Sequence, residues 1–259
     1  MRPEAASVKI NSDPRAERAE KNLKGKSPMA ESERIVLHQA QVGPMANFVY
    51  LIGDPVTRKA AVVDPAWDVD KIIKWAERYG MEIEHILITH YHPDHLGGSM
   101  MGMTIEGSAR MLERVKAKVY VNKAEAEGTR KVAGLSDSDL VKMDAGDTLK
   151  LGDLTVTFLH TPGHTPGSQC FLVEGNLVSG DTLFVNSCGR VDLPGSDPEA
   201  MYYSLNRTLR SLPDTTVVYP GHAYSPESST TIGAQKRTNI YMRFPSLDDF
   251  LDAMGYARR

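Results

Sequence analysis

The sequence predicts a mixed α/β fold, of the α+β kind, with helices packed outside two β-sheets in a single domain. Three observations carry that prediction. Short apolar, β-branched runs recur from Ile35 onward between Gly, Pro and Asp residues. Stretches with helical spacing of apolar residues lie between those runs. Gly152-Asp153 and Glu174-Gly175-Asn176 sit between neighbouring apolar runs as hairpin turns, which favours antiparallel neighbours over a repeated βαβ series.

Taken in order, strands are expected at residues 34–38, 47–52, 60–63, 85–89, 118–121, 148–151, 154–160, 170–173, 177–179 and 216–219, short apolar runs with Gly, Pro and Asp between them. Helices are expected at 69–79, 106–115, 124–132, 197–211 and from 231 to the end, where apolar residues recur at helical spacing. No internal repeat or low-complexity linker divides residues 35–259.

With 41% apolar and 24% charged residues in 259, the composition excludes collagen-like, disulfide-scaffold and wholly disordered chains. Thirty basic residues against thirty-three acidic ones are too balanced for a dedicated nucleic-acid binder. Cys170 and Cys188 cannot build a disulfide framework, so a reducing cytoplasm is the expected compartment. No apolar run approaches the roughly 18–20 residues that span a bilayer, and the N-terminus has no signal-peptide pattern. Residues 1–34, with eight basic and six acidic residues, read as a polar tail or arm whose helix-compatible stretch 13–24 could dock on a partner subunit. Setting the tail aside leaves about −5 on residues 35–259.

The sharpest chemical signal is Thr89-His90-Tyr91-His92-Pro93-Asp94-His95, which follows the apolar run Ile86-Leu87-Ile88. In extended chain, positions i and i+2 share a face, so His90 and His92 can aim at one ion. Pro93 then turns the chain and throws Asp94 and His95 toward a different point. One cation cannot easily take four ligands from so tight a segment, so the spacing suggests two adjacent metal sites. Three further segments place donors just after apolar strands: the Pro/Gly-rich loop 161–167 with His164, the strand end Gly180-Asp181, and Pro220-Gly221-His222. Donors at strand ends gather along one edge of a fold. The tally assigns His90, His92 and His164 to one ion and Asp94, His95 and His222 to the other. Asp181 lies between, where its two oxygens can bridge and Gly180 removes bulk. Three protein ligands plus a bridge leave room for water, the mark of a catalytic rather than a structural site.

The order His-x-His-x-Asp-His, Thr-Pro-Gly-His-Thr, Gly-Asp, Pro-Gly-His resembles the metallo-β-lactamase superfamily of metal-dependent hydrolases across about residues 35–240. The resemblance implies a four-layer αββα sandwich with metals at one edge of its sheets, formed here by residues 35–259. Residues 189–194 and 231–239 are similar to short glyoxalase II-type (hydroxyacylglutathione hydrolase-like) enzymes, and Asp181 distinguishes the chain from the true β-lactamase branches, which lack that aspartate. Typical glyoxalase II carries a C-terminal helical domain that helps to bind glutathione, whereas 37 residues follow His222 here.

The expected reaction is hydrolysis of a thioester, or of a related acyl ester or lactone, by a metal-bridged hydroxide, with Asp94 both ligand and catalytic residue. Two divalent ions are implied, zinc first, with iron or manganese as alternatives. The competing reading is a mononuclear-iron persulfide dioxygenase, because Cys188-Gly189-Arg190 and residues 219–224 resemble that branch as well. It would use His164, Asp181 and either His90 or His92. A non-catalytic binding module is a third reading, disfavoured by the complete donor set.

Among the remaining residues, Phe184, Arg190 and Tyr224 are candidate substrate contacts, and Arg190 also suits an ion pair with Asp192. Asp64 can accept the second ring proton of a metal-binding histidine. His38, His85 and His160 suit packed or surface positions, Cys170 a small hydrophobe, and Cys188 a pocket lining. The methionine-rich stretch 99–105 suits either an adaptable pocket wall or core filling. Lys236 and Arg237 could meet an anionic substrate or form a solvated helix face. The expected partner is a small-molecule substrate, with no nucleic acid and no membrane. The apolar stripe of Tyr202, Leu205 and Leu209 suits a monomer or a homodimer equally.

Overall fold

A computed structural model describes residues 34–256; the expected N-terminal arm, with its stretch 13–24, lies outside the described residues apart from Arg34. In chain order the strands are β1 (Val36–Val42), β2 (Asn47–Gly53), β3 (Lys59–Val63), β4 (Glu82–Leu87), the short hairpin β5 (Gly98–Met100) and β6 (Met103–Ile105), β7 (Lys118–Asn122), β8 (Leu140–Met143), β9 (Thr148–Leu151), β10 (Leu154–His160), β11 (Gln169–Val173), β12 (Asn176–Gly180), a second short hairpin β13 (Leu183–Phe184) and β14 (Ser187–Cys188), β15 (Val217–Pro220) and β16 (Thr230–Thr231). They form two six-stranded sheets, ordered β1-β2-β3-β4-β7-β8 and β16-β15-β12-β11-β10-β9.

The first sheet corrects the expectation of mainly antiparallel neighbours. Only β1-β2-β3 pair that way, while β3-β4, β4-β7 and β7-β8 are parallel. Each parallel step needs a crossover. The helices Val69–Arg78, Ser108–Leu112 and Ala126–Ala133 lie in those three connections. The second sheet is antiparallel apart from β12-β15, and both hairpin turns that carried the expectation join its strands.

Side-chain alternation divides the interior into three cores. Along β2, Val49 and Leu51 face outward onto Ile72 and Ile73 of the first crossover helix, while Phe48, Tyr50 and Ile52 face the second sheet's Val156, Phe158 and Phe171. Cys170, Leu177 and Val218 on that sheet's far face pack against Met201, Leu205, Leu209, Ile232 and Phe250. The result is the expected helix–sheet–sheet–helix order. Leu205 and Leu209 are fully buried in this outer core, so the stripe seen in the sequence packs within its own chain.

Local rules account for the helix ends. Asp68 caps the first crossover helix by accepting from the Lys71 amide. The long helix expected at 197–211 starts as the α-helix Pro198–Tyr203, capped by Asp197, widens into a π turn at 204–208 and then tightens into a 3-10 turn at 209–211. The expected C-terminal helix is divided into Ile232–Thr238, one turn at 240–242, and Leu247–Ala253, with Pro245 in the last break. Among the described residues no helix is long and apolar enough to cross a membrane.

Candidate metal centre

The strand ends bring the predicted donors to one edge. β4 runs on through Ile88 to Thr89 and His90, β10 into the 161–167 loop, β12 into Asp181 and β15 into Gly221-His222. His92 caps the single helical turn Pro93–Leu96, which carries Asp94 and His95 away from the strand direction as the proline suggested. Glycines make the crowding feasible. Gly180 has φ 48 and lies so close to Thr89 that a Cβ there would meet the threonine side chain at 2.6 Å. A Cβ on Gly221 would strike Asp181 Oδ1.

Two donor triads result. The nearest ligand atoms of His90, His92 and His164 all lie within 4.8 Å of one another, as do those of Asp94, His95 and His222. Asp64, His90 and His95 form a third such group. Asp181 stands between the first two, with Oδ1 3.4 Å from His95 Nε2, and Oδ2 3.3 Å from His222 Nε2 and 3.6 Å from His164 Nε2.

The outer ring nitrogens fix which lone pairs face inward. His164 Nδ1 donates to the Arg190 carbonyl at 2.8 Å, and His222 Nδ1 to the Met45 carbonyl at 2.9 Å. His95 Nδ1 donates to Asp64 Oδ2 at 2.9 Å. The Thr89 hydroxyl donates to Asp64 Oδ2 at 2.6 Å and therefore accepts from His90 Nδ1 at 2.9 Å. Each of these four rings thus turns Nε2 inward, while His92 presents Nδ1, 3.0 Å from His164 Nε2. His90 Nε2 and Asp181 Oδ1 are buried without a hydrogen-bond partner among the described residues, and the Nε2 atoms of His95 and His222 stand 3.1 Å apart. Buried acceptors facing one another need a cation between them, so the residues fit divalent metal ions.

The electrostatics agree. Burial, reinforced by the neighbouring imidazoles, holds His90 well below the usual histidine range and His92 down at about 4. Burial also opposes charge on His95, but the carboxylates of Asp181, Asp94 and Asp64 outweigh it and push the ring up to about 10. Asp94 and Asp181 are held low despite burial, chiefly by His95, with the Asn47 amide and His222 adding to it. A site that draws a proton onto a buried imidazole is short of positive charge.

A cavity of about 510 Å³ opens over both triads, and all three predicted substrate contacts line it. Tyr224 stacks on His222 with ring centres 4.6 Å apart, and Phe184 packs edge-on against Tyr224 at 5.3 Å. Arg190 makes two 2.8 Å bonds to Asp192, the expected ion pair. Cys188 also lines the cavity, and burial pushes its thiol up to about 12. Lys236 lies outside the lining, half-buried and paired with Asp214 at 2.6 Å. His38 stacks on Tyr79, His85 meets Tyr120 edge-on and His160 contacts the Pro166 carbonyl, all outside the triads. Asp64 sits at φ 52, a strained conformation for a non-glycine residue, and ties the Thr89 amide and hydroxyl to His95.

Two contributors are absent from the sequence reading. Asn47 opens β2 fully buried, with Nδ2 donating to Asp94 Oδ2 at 2.9 Å and Oδ1 held by the Trp67 indole at 3.0 Å. Its signal in the sequence is an amide heading an otherwise apolar strand. Glu125, also buried, accepts from the amides of Tyr91 at 2.8 Å and Gly167 at 2.6 Å, joining the His90–His92 segment to the His164 loop. Nothing local marks it.

Comparisons with known proteins agree with this geometry. Residues 42–222 match the family model described as metallo-beta-lactamase superfamily. A cytoplasmic hydroxyacylglutathione hydrolase of Arabidopsis thaliana is 40% identical over 69% of this chain and 64% of its own length. A probable polyketide biosynthesis zinc-dependent hydrolase, BaeB, of Bacillus velezensis is 29% identical over 80% of this chain and 86% of its own. The crystal structure of ETHE1 from Myxococcus xanthus superimposes with a TM-score of 0.73 at 32% identity, covering 85% of this chain and 90% of that one. With a family match across most of its length and a donor set at the sheet edge, the chain belongs to the metallo-beta-lactamase superfamily.

Proposed function

We propose that the protein is a dinuclear metal-dependent hydrolase that cleaves a thioester in the manner of glyoxalase II, or a related acyl ester or lactone. The observation that carries this reading is the pair of donor triads with Asp181 between them, opening on one cavity. His90, His92 and His164 would hold one ion, Asp94, His95 and His222 the other, and Asp181 both. Zinc suits this nitrogen and oxygen donor set, as iron or manganese would. Bound there, the ions supply hydroxide from water near neutral pH and polarise the scissile carbonyl.

The chain's own groups do the rest. Asp94 lines the cavity with Oδ2 anchored by Asn47, so its carboxylate is oriented to take the proton of the attacking water and pass it to the leaving thiolate. Trp67 fixes the Asn47 amide so that its NH2, not its oxygen, faces Asp94. Asp64 keeps the His95 proton on Nδ1 and the lone pair on the cavity side. Cys188 stays protonated near neutral pH and is no nucleophile. The free cysteines suit a reducing cytoplasm, and a small-molecule substrate is the one partner the site requires.

The test is elemental analysis of the purified protein followed by a panel of S-lactoylglutathione, a homoserine lactone, a β-lactam and glutathione persulfide. Two ions per chain and thioester turnover are expected. Bound iron with oxygen uptake dependent on glutathione persulfide would replace this reading with the dioxygenase.

A further inference from the structure

The hairpin β5–β6 breaks a local rule beside the cavity. Its two-residue turn is Met101-Gly102, with φ 51 and φ 77, the double positive-φ pattern that Asn, Asp or Gly ordinarily fills. Methionine there is strained and, at 88% exposure, packs against almost nothing in the free protein. Breaks in local rules concentrate at functional or strained sites. Met100 and Met101 both line the cavity over the triads.

Tyr224, on the same cavity, shows the same excess of uncovered apolar surface. Tyr224 is 62% exposed while its ring lies flat on His222, and Phe184 and Leu193 continue the lining inward. Among the described residues that line the cavity, Arg190 is the one Lys or Arg, and Asp192 holds its guanidinium through two bonds. Uncovered apolar groups from two separate segments of one cavity lining, with the cation engaged, form a site that gains free energy from an apolar occupant.

We propose that the Met100–Met103 hairpin and Tyr224 grip the apolar acyl chain of a thioester substrate, so that the enzyme favours long acyl groups over short or polar ones. The inference rests on the thioester reading above. It assigns the apolar part to the acyl side because biological thiols, whether cysteinyl peptides or pantetheine, are polar amide chains. Methionine suits such a wall because its unbranched thioether adapts to chains of different length.

The test compares kcat/KM for acetyl and octanoyl thioesters of N-acetylcysteamine, with S-lactoylglutathione alongside, in the metal-loaded wild-type protein and in M101N. Asparagine is favoured at the turn, so M101N should melt at or above the wild-type temperature. The octanoyl-to-acetyl ratio should exceed one in the wild type and fall about 10-fold in M101N. V56N, which removes an exposed apolar side chain from a turn outside the cavity, should leave the ratio unchanged. Equal rates for the two acyl lengths, or a ratio that M101N does not alter, would overturn the acyl-grip inference while turnover itself leaves the thioester reading standing. Hydrolysis of none of the three thioesters would overturn both.

Discussion

The two halves of the metal centre are built from different chemistry. His90, His92 and His164 offer three nitrogens, two of them backed by a threonine hydroxyl and a backbone carbonyl, and burial with mutual repulsion keeps His90 and His92 from charging. Asp94, His95 and His222 instead combine a carboxylate with two rings. Asp64 stands behind one of them, and His95 is drawn up to about 10. The first half is an all-nitrogen donor set and the second includes a carboxylate. Asp181 reaches both, with Oδ2 near His164 and His222 and Oδ1 near His95. The halves thus differ both in their donors and in the groups that stand behind them.

Removing the shared carboxylate should have the largest effect. D181A should lose metal from both halves and reduce turnover by more than the roughly 10- to 100-fold typical of groups that only back a ligand. Metal content by elemental analysis and steady-state kinetics check it together. D64N strikes the acidic half directly through His95 and reaches the nitrogen half only through Thr89 behind His90, so competition with a chelator should show the acidic half weakened by about 10- to 100-fold and the nitrogen half by less. E125Q tests the nitrogen half, because a glutamine NH2 would face the amide of Tyr91 or Gly167. It should destabilise the fold by about 1–3 kcal/mol in denaturant melts and weaken the ion at His92 and His164 by less than D64N weakens its partner. C188A should be the mildest, with kcat within about twofold of wild type, since the protonated thiol takes no part in the chemistry.

The sequence made the donors far more legible than their supports. Seven His and Asp donors, four of them closely spaced around Pro93 and the others in rigid Pro/Gly loops or at strand ends, announce themselves locally, because coordination needs particular atoms in particular segments. Asp64 was legible for the same reason, as a carboxylate closing an apolar strand. Glu125 and Asn47 act across the fold: Asn47 meets Asp94 47 positions away, and Glu125 meets Gly167 at a separation of 42. No periodicity records such a pairing. Topology shows the same limit. Hairpin turns report short connections, so the antiparallel second sheet was readable, while the parallel order of β3, β4, β7 and β8 depends on how three crossover helices pack. The β5–β6 hairpin escaped because Met101-Gly102 lacks the usual turn chemistry, the same anomaly that gives it a role at the cavity mouth.

The central claim is that two unlike half-sites each hold an ion in one chain. Elemental analysis of the metal-loaded full-length protein beside H164A and H222A tests it most directly. Two ions per chain in the wild type and about one in each variant are predicted, with H164A keeping the ion of the acidic half and H222A that of the nitrogen half. A single ion in the wild type, retained in full by H222A, would contradict the account and leave a mononuclear centre.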